Sequence, residues 1–453
     1  MIPITLFSGR RVAVLGLGRT GLTAARALRA GGAEVLCLDD QEPGRAAAVA
    51  EGFEAAPGDV PLPDGIAALI ASPGIPHLYP TPHPAIASAW AQGIPVDNDV
   101  GLFFAACPDG VDCIAVTGSN GKSTTAALIH HCLVETGRRV QLGGNIGRGI
   151  LDLDPPQSGE AVVLELSSYQ TDLARTLKPT VAVLTNLAPD HLDRHGGLGG
   201  YFAAKRRLFE VTPPRVGVIG IDEPEGLALT NALIGQVRPV LTIGPAERMP
   251  TVALEPQAVV VRGERLALDD APSLRGRHNM QNAAAALLVA ETLGAPREGI
   301  LAAFRSFPGL RHRSQRVGER AGVLFVNDSK ATNADAAEKA ILAYDRVRWI
   351  VGGRQKEGGI ESLRPHFGRI AKAYLIGEAT EQFATSLRTY PHEVPYEKCG
   401  DLATAVARAA AEAEPGETVL LAPACASFDQ FPSFEKRGEA FEEAVRNVVN
   451  SIA

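Results

Sequence analysis

Short apolar runs alternate with stretches that have helical apolar spacing along most of the chain. RVAVLGLG (11–18) predicts a buried strand, TGLTAARALRAGG (20–32) predicts a helix closed by glycine, and EVLCLDD (34–40) predicts a second strand. Strands that alternate with helices in this way are typical of a parallel α/β sheet.

The same alternation begins again twice further along. A second segment has predicted strands CIAVTG (113–118), AVVLEL (161–166) and TVAVLTNL (180–187). A third has GVLFVND (322–328), RVRWIVGG (346–353), KAYLIG (372–377) and TVLLAPA (418–424), before an amphipathic helix over 434–449. Short alternating pieces at 239–273 favour a small β-meander.

We therefore predict an α/β protein of three domains. Residues 1–100 form a Rossmann-like domain, 101–308 a central domain with a parallel sheet of the P-loop ATPase type, and 309–453 a second Rossmann-like domain. The length of 453 residues fits this division, because one hydrophobic core does not grow to that size.

Composition limits the classes of function. The net charge is -7 and no basic block stands out, which argues against binding to nucleic acid or to a membrane surface. The six cysteines form no C-x-x-C pair, so neither a disulfide framework nor a zinc site is indicated. No signal peptide and no apolar run of about 18 residues is visible. We expect a cytoplasmic monomer.

TGSNGKSTT (117–125) is the most specific local motif. It lies between a β-branched strand and a helix, where backbone N–H groups bind phosphate, Lys122 neutralises charge, and Ser123 or Thr124 ligates Mg²⁺. The spacing departs from G-x-x-x-x-G-K-[ST], since Val116 lies five positions before Gly121. A turn that only caps a helix is the alternative.

The first predicted strand ends in a G-x-G-x-x-G loop, Gly16 to Gly21, and Asp39 follows eighteen residues later. Such a loop binds a diphosphate at a helix N-terminus, and the acid binds a ribose diol. A dinucleotide and a UDP-sugar both present these groups. From the loop alone a dinucleotide, another nucleotide diphosphate and plain packing all remain open.

Two further side chains follow apolar strands of the central segment. Glu165 ends AVVLEL, and His191 lies in NLAPDHLDRH. Both are candidate Mg²⁺ ligands, histidine being the less usual one, and a structural role is the alternative for each. Lys205, in YFAAKRRLFE, has by itself the pattern of a solvated helix lysine.

Together these motifs resemble the Mur ligase family over essentially the whole chain. The blocks that match in order are TGSNGKST, ELSSYQ, NLAPDHLDRHG, YFAAK, GRHNMQNAAAA (276–286), PGLRHRSQRV (308–317) and NDSKATN (327–333). Within the family, the branch that adds D-glutamate is indicated by SPGI (72–75), GGNIG (143–147), GGRQK (352–356) and PACASFDQFPSFEKRG (423–438).

The resemblance implies ATP-dependent ligation of D-glutamate to UDP-N-acetylmuramoyl-L-alanine through an acyl phosphate, in peptidoglycan precursor synthesis. The ATP site it implies consists of Gly118, Ser119, Asn120, Gly121, Lys122, Ser123, Thr124, Asn282, Arg313 and Asp328. The UDP-substrate site consists of Arg19, Thr20, Gly21, Asp39, Ser72, Gly74 and Asn145, so the first glycine loop is not an NAD site. The D-glutamate site consists of Lys330, Thr332, Lys356, Ser427 and Phe434.

The same resemblance implies two Mg²⁺ ions. Ser123 and Glu165 hold one ion, while His191 and a carbamylated Lys205 hold the other. Lys122, His191 and Lys205 are then the catalytic residues. Gln41, where a basic residue often accompanies uracil, and Arg19, at a usually apolar position, depart from the family pattern.

Two other classes of protein compete with this hypothesis. A nicotinamide oxidoreductase explains the first glycine loop but gives TGSNGKST no role. A P-loop switch or regulatory NTPase does not need the block at 423–438.

Overall fold

A computed structural model describes residues 1–237, 239–355, 359–388 and 393–450. It contains three sheets with helices between their strands, which confirms the α/β class. The described chain divides into two compact units, Met1–Ala267 with Met280–Phe304, and Leu268–Asn279 with Arg305–Ala453. The predicted domain boundaries at 100/101 and 308/309 stay predictions. None of the described helices is long and apolar enough to span a membrane.

The first sheet is parallel throughout and has the strand order β3-β2-β1-β4-β5. Its strands are β1 (Arg11–Leu15), β2 (Glu34–Leu38), β3 (Glu54–Ala56), β4 (Ile66–Ala71) and β5 (Val96–Asp97). Its helices are α1 (Arg19–Ala30), α2 (Glu42–Ala50), α3 (Pro84–Ala91) and α4 (Asp99–Ala106). This order is Rossmann-like, and its switch point lies between β1 and β4.

The central sheet has the order β14-β13-β12-β11-β10-β9-β6-β8-β7. Its strands are β6 (Asp112–Thr117), β7 (Val140–Gly144), β8 (Ala161–Glu165), β9 (Val181–Leu184), β10 (Val216–Gly220), β11 (Val240–Gly244), β12 (Val252–Glu255), β13 (Ala258–Val261) and β14 (Glu264–Ala267). It is parallel from β7 to β12, but β13 and β14 are antiparallel, so the sheet is mixed and the predicted meander is confirmed.

Seven α-helices lie between β6 and the first strand of the third sheet in the described chain. They are α5 (Lys122–Glu135), α6 (Ser168–Leu173), α7 (Leu192–His195), α8 (Leu198–Glu210), α9 (Pro224–Leu233), α10 (Arg277–Thr292) and α11 (Arg297–Ser306). Strands β6, β8 and β9 are buried along nearly their whole length, which explains their unbroken apolar sequences.

The third sheet has the order β15-β16-β20-β17-β18-β19, and only β15 is antiparallel to its neighbour. Its strands are β15 (Gln315–Arg320), β16 (Val323–Asn327), β17 (Val347–Gly352), β18 (Ile370–Ile376), β19 (Tyr396–Gly400) and β20 (Thr418–Leu421). Its helices are α12 (Ala334–Leu342), α13 (Thr380–Leu387), α14 (Leu402–Glu412) and α15 (Phe434–Asn450). The last helix confirms the amphipathic segment predicted at 434–449.

Candidate functional site

A pocket of about 430 Å³ lies beyond the carboxyl ends of β1 and β4, at the switch point of the first sheet. Six side chains or turns predicted for the UDP substrate line it: Arg19, Thr20, Asp39, Ser72, Gly74 and Asn145. The seventh, Gly21, packs beneath the loop, where a Cβ would lie 1.8 Å from the carbonyl oxygen of Gly16. Glycine is therefore required for this close approach of helix and strand.

Asp39 and Ser72 hold the glycine loop in shape. The Asp39 carboxylate accepts hydrogen bonds from the backbone N–H of Leu17 at 2.5 Å and of Gln41 at 2.8 Å. The Ser72 hydroxyl donates to the carbonyl oxygen of Gly16 at 2.6 Å. These bonds leave further lone pairs on the carboxylate, so bracing the loop and accepting from a ligand hydroxyl are compatible.

Asp99 and Gln170 also line this pocket, and neither was predicted for it from the sequence. Asp99 is the first residue of α4 and is buried, which raises the pKa of its carboxyl to about 6. Gln170 closes a capping box at the start of α6 by accepting from the N–H of Ser167 at 3.0 Å. The capping pattern was readable in SSYQ, but its position beside the pocket was not.

The phosphate loop turns directly from β6 into α5. Gly121 has a φ of +79°, and a Cβ there would lie 2.4 Å from the side-chain oxygen of Asn282. The Thr125 hydroxyl donates to the same oxygen at 3.0 Å. Asn282, predicted for the ATP site, therefore packs against the loop that it was expected to accompany.

Asn186 is a further support of this loop that sequence reasoning missed. Its side-chain oxygen accepts from the N–H of Asn120 at 2.9 Å, and its carbonyl oxygen accepts from the N–H of Ser119 at 3.0 Å. Gln281 accepts from the Asn186 amide at 2.9 Å. Asn186 begins the motif NLAPDH, and Gln281 lies in HNMQN. Membership in these motifs was the sequence signal that could have identified the two residues.

Two lysine side chains donate to backbone carbonyls of the loop. Lys122 Nζ donates to the carbonyl of Ser119, and Lys205 Nζ donates to that of Gly118, both at 2.8 Å. Lys205 is 1% exposed, which corrects the solvated-lysine pattern that its local sequence suggested. Burial, with the nearby charge of Lys122, holds the pKa of Lys205 well below its usual value.

Glu165 ends β8, beside Val116 of β6, and is 4% exposed. Its Oε2 atom has no hydrogen-bond partner among the described residues. A buried carboxylate oxygen is costly to leave unpaired, and a hard cation is one partner that satisfies it. No group of three or more His, Cys, Asp or Glu side chains is arranged to hold a metal ion in the described chain, here or elsewhere.

His191 follows the loop after β9 with a left-handed backbone, φ +52°. Its ring centroid lies 4.9 Å from that of Tyr169. Burial lowers the pKa of His191, Asp190 raises it, and the charges of Lys205 and Lys122 lower it further. The imidazole is thus favoured in its neutral form, which is the form that ligates metals.

Arg194 connects the substrate pocket to the His191 segment. Its Nη1 donates to the carbonyl oxygen of Gly74 at 3.0 Å, and its guanidinium lies 4.8 Å from the ring centroid of Tyr169. Tyr169 in turn contacts His191. No sequence pattern singled out Arg194, because this role depends on a contact between residues 120 positions apart.

A second cluster lies in the unit that contains the third sheet. The Lys330 ammonium lies 3.9 Å from the ring centroid of Phe434, and the N–H of Thr332 donates to the carbonyl oxygen of Lys330 at 2.8 Å. Ser427 is also buried, and it belongs to the same sequence block as Phe434, at 423–438. Lys356 lies outside the described residues. Three of the five residues predicted for D-glutamate are therefore close together.

Arg437 holds this cluster together, and sequence reasoning missed it. The guanidinium is buried and donates to the hydroxyl of Ser329 and to the carbonyl oxygen of Cys425, both at 3.0 Å. Burial lowers the pKa of Arg437 to about 10. Its bonds join the segment before Lys330 to the segment before Ser427. Arg437, itself a residue of the block at 423–438, therefore holds these two segments of the cluster together.

Asp328 and Arg313, predicted for the ATP site, lie in the same unit. Asp328 follows β16, and burial raises the pKa of its carboxyl to about 6, while the charge of Arg313 opposes that rise. The Ser314 hydroxyl donates to Asp328 at 3.5 Å. A buried carboxyl of this kind, facing an arginine, remains a candidate for polar contact with a nucleotide.

Comparison with known proteins gives matches over nearly the whole chain. The family model for the Mur ligase middle domain matches residues 116–290, and that for the Mur ligase glutamate ligase domain matches residues 312–425. UDP-N-acetylmuramoylalanine–D-glutamate ligase of Dinoroseobacter shibae is 56% identical, over 97% of this chain and 98% of the relative. The enzyme of that name from a Jannaschia species is 55% identical, over 96% and 98%.

Solved structures match at the level of the fold. UDP-N-acetylmuramate–alanine ligase of Thermotoga maritima has a TM-score of 0.59 at 18% identity, covering 96% of this chain and 99% of that one. A crystal structure of MurF from Acinetobacter baumannii has a TM-score of 0.56 at 18% identity, covering 98% of this chain and 93% of that one.

Proposed function

The chain belongs to the Mur ligase family and is an ATP-dependent amide-forming ligase, and we propose that it joins D-glutamate to UDP-N-acetylmuramoyl-L-alanine in peptidoglycan precursor synthesis. The observation that supports this substrate pair best is the 56% identity, over 97% of the chain, to a relative named for it. The family resemblance found in the sequence is thereby confirmed.

The chemistry begins with the acceptor carboxylate, which is a poor electrophile because its charge repels an amine. The γ-phosphoryl group of ATP moves to a carboxylate oxygen, giving an acyl phosphate and ADP. The D-glutamate amine attacks the carbonyl carbon and loses a proton, and phosphate leaves as the amide forms. Such a phosphoryl transfer needs positioning and charge neutralisation more than a protein nucleophile.

The phosphate loop is the proposed ATP site. Loop N–H groups and the start of α5 would face the phosphates, and Lys122, whose ammonium donates to the Ser119 carbonyl of the loop, would neutralise the phosphoryl group during transfer. Asn186 and Asn282 keep the loop in one conformation, so little reorganisation is needed when charge develops.

The pocket at the first sheet is the proposed site for the UDP portion of the acceptor. Its glycine loop presents a helix N-terminus to the diphosphate, and Asp39 is placed to accept from a ribose hydroxyl. Asn145 extends the pocket toward Glu165, because its N–H donates to the Glu165 carbonyl at 3.0 Å. The reacting end of the acceptor is thus directed toward the phosphate loop. In this proposal the glycine loop holds the UDP group and not a nicotinamide dinucleotide.

As a Mur ligase the protein uses ATP and Mg²⁺. We further propose two ions, one held by Ser123 and Glu165, the other by His191 and the carbamate of Lys205. The unpaired buried oxygen of Glu165 and the neutral imidazole of His191 fit hard-cation ligands. Bound Mg²⁺ neutralises phosphate charge during transfer.

The environment of Lys205 supports the proposed carbamylation. Because burial lowers the pKa of the amine, its neutral fraction is larger than that of an exposed lysine, and the neutral amine can attack CO₂, forming an N–C bond and releasing one proton. The product places an anionic oxygen where an ammonium would repel a cation. Carbamate formation is expected to rise with pH through that lowered pKa, since below it the protonated amine has no lone pair.

Lys330, Thr332, Lys356, Ser427 and Phe434 are the proposed receptors of D-glutamate. Its two carboxylates call for cations and hydroxyls, and the contact with Phe434 fixes the Lys330 ammonium.

Lys330→Met is expected to raise the KM for D-glutamate about 10- to 100-fold, because one charge-assisted hydrogen bond is lost. Initial rates at varied D-glutamate measure it. Lys436→Met is the matched control, since Lys436 belongs to the same sequence block but forms an exposed ion pair with Glu439. Equal KM values for wild type and Lys330→Met would remove Lys330 from the site.

Arg194→Met is expected to raise the KM for the UDP-linked acceptor about tenfold, because the bond to the Gly74 carbonyl holds the pocket turn. The KM for D-glutamate should stay within about twofold of wild type. Arg206→Met, which removes an exposed pair with Glu210, is the control. If both variants shift the acceptor KM alike, the Gly74 contact has no specific role.

The substrate assignment is tested by phosphate release and product mass with a panel of amino acids and UDP-muramoyl acceptors. D-Glutamate with UDP-N-acetylmuramoyl-L-alanine should give amide and phosphate in equal amounts. Faster ligation of alanine, a diamino acid or a polyglutamate acceptor would replace the proposed pair.

We also propose that the protein is located in the cytoplasm, where ATP is supplied, and that it is a monomer. Analytical ultracentrifugation tests the oligomeric state.

A further inference from the structure

Two of the six cysteines lie in contact outside the proposed active site. Cys107 follows the last turn of α4, and Cys113 is the second residue of β6. Their Sγ atoms are 3.4 Å apart, within the distance of a thiol–thiol hydrogen bond. Five residues separate them in sequence, so the sulfurs meet across one short connection.

We propose that Cys107 and Cys113 form a dithiol site that peroxide oxidises to a reversible intramolecular disulfide and that trivalent arsenicals bind. A disulfide has a sulfur–sulfur distance of about 2 Å, so the two sulfur atoms must move about 1.4 Å closer together. Cys107 has left the helix and has an extended backbone, φ −65° and ψ 124°.

The two thiols differ in access, which assigns them separate steps. Cys107 is half-buried, whereas Cys113 is 3% exposed. The hydrogen bond from Cys113, with the charge of Lys178, lowers the pKa of Cys107, and the same contact together with burial raises the pKa of Cys113. The accessible thiol is thus the better nucleophile toward an oxidant.

The reaction balances in two steps. The Cys107 thiolate attacks hydrogen peroxide, forming an S–O bond and releasing hydroxide, which leaves a sulfenic acid. The Cys113 sulfur then attacks the Cys107 sulfur, the S–S bond forms, and the hydroxyl leaves with the Cys113 proton as water. Two thiols and one peroxide give one disulfide and two waters. Thiols such as glutathione reverse it by exchange.

The other cysteines provide an internal comparison. Cys37, Cys132 and Cys425 are buried, and burial raises the pKa of each thiol to about 12. Cys399 is half-buried, but burial raises its pKa to about 11. Among these described thiols, Cys107 is thus the one with a lowered pKa and a second sulfur in contact.

The test is peptide mass mapping of the reduced full chain after graded exposure to hydrogen peroxide. A 107–113 crosslink should appear before any modification of Cys399, and reduction should remove it. Phenylarsine oxide should bind once per chain and block the crosslink, because its arsenic forms one bond to each sulfur while its oxygen leaves with the two thiol protons as water. Cys107→Ser should abolish both effects, and Cys399→Ser should change neither.

Cys113→Ala provides a second variant if Cys107→Ser unfolds, and it should leave Cys107 open to sulfenic acid without any crosslink. Oxidation of Cys399 first, a crosslink only between chains, or arsenical binding that survives in Cys107→Ser would each overturn the proposal.

Discussion

Replacing Lys205 with alanine is expected to lower kcat about 10³-fold without unfolding the protein. In the proposed site, the substitution would remove a carbamate ligand whose metal would stabilise charge in the transition state by several kcal/mol, and each ~1.4 kcal/mol is a factor of ten. The fold should tolerate the change, because a buried amine with one bond to the Gly118 carbonyl adds little stability. Steady-state rates and thermal unfolding of the variant measure both expectations.

The modification itself needs a separate readout. A short carboxylic acid such as acetate should partly restore activity to Lys205→Ala, since it can supply the missing oxygen ligand in the vacated volume. Arg206→Ala, altered at the adjacent exposed position, should keep wild-type rates and show no such rescue. Full activity of Lys205→Ala, or of wild-type protein prepared and assayed without CO₂, would refute the carbamate.

Replacing Lys122 with methionine should produce a loss of similar size, about 10²- to 10³-fold in kcat, by a different route. In the proposed mechanism Lys122 neutralises the phosphoryl group while it moves, so its loss should affect the transition state more than the bound ground state. The KM for ATP should therefore change much less than kcat. Rates at varied ATP separate the two quantities.

Lys339→Met is a suitable control for Lys122→Met, because Lys339 forms an exposed ion pair with Asp335 one helical turn away. Its kcat should stay within about twofold of wild type. A variant of Lys122 that only weakens ATP binding, with kcat preserved, would show that this lysine binds the nucleotide without taking part in the transfer.

Sequence patterns were enough to predict the central strands of each sheet. Strands such as β8 and β9 are buried on both faces, so Ala161–Leu164 and Val181–Leu184 are unbroken apolar runs. Strands β3 and β5 have three and two residues at the edges of the first sheet, and no periodicity can be read from so few positions. The tertiary pairing with β2 and β4 determines them.

The candidate site divides in the same way. Residues within one motif, such as Lys122 or Glu165, could be named because a strand end or a helix start determines their position. Arg437 and Asn186 could not, since their roles arise from contacts between distant segments.

Lys205 is an intermediate case. The buried positions of α8 are Tyr201, Ala204, Lys205, Leu208 and Phe209, which is the spacing of one helical face. The helical period of YFAAKRRLFE therefore places this lysine among apolar neighbours. Its burial could have been predicted from the sequence by counting positions, whereas the carbonyl of Gly118 that it contacts could not.

Activation of the acceptor carboxyl by phosphoryl transfer is tested most directly with oxygen-18 in that carboxyl group. The enzyme, Mg²⁺, ATP, D-glutamate and labelled UDP-N-acetylmuramoyl-L-alanine are combined, and released phosphate is analysed by mass. The proposed reaction transfers one labelled oxygen to phosphate for each amide formed. Amide formation with unlabelled phosphate, or with label in AMP, would contradict it.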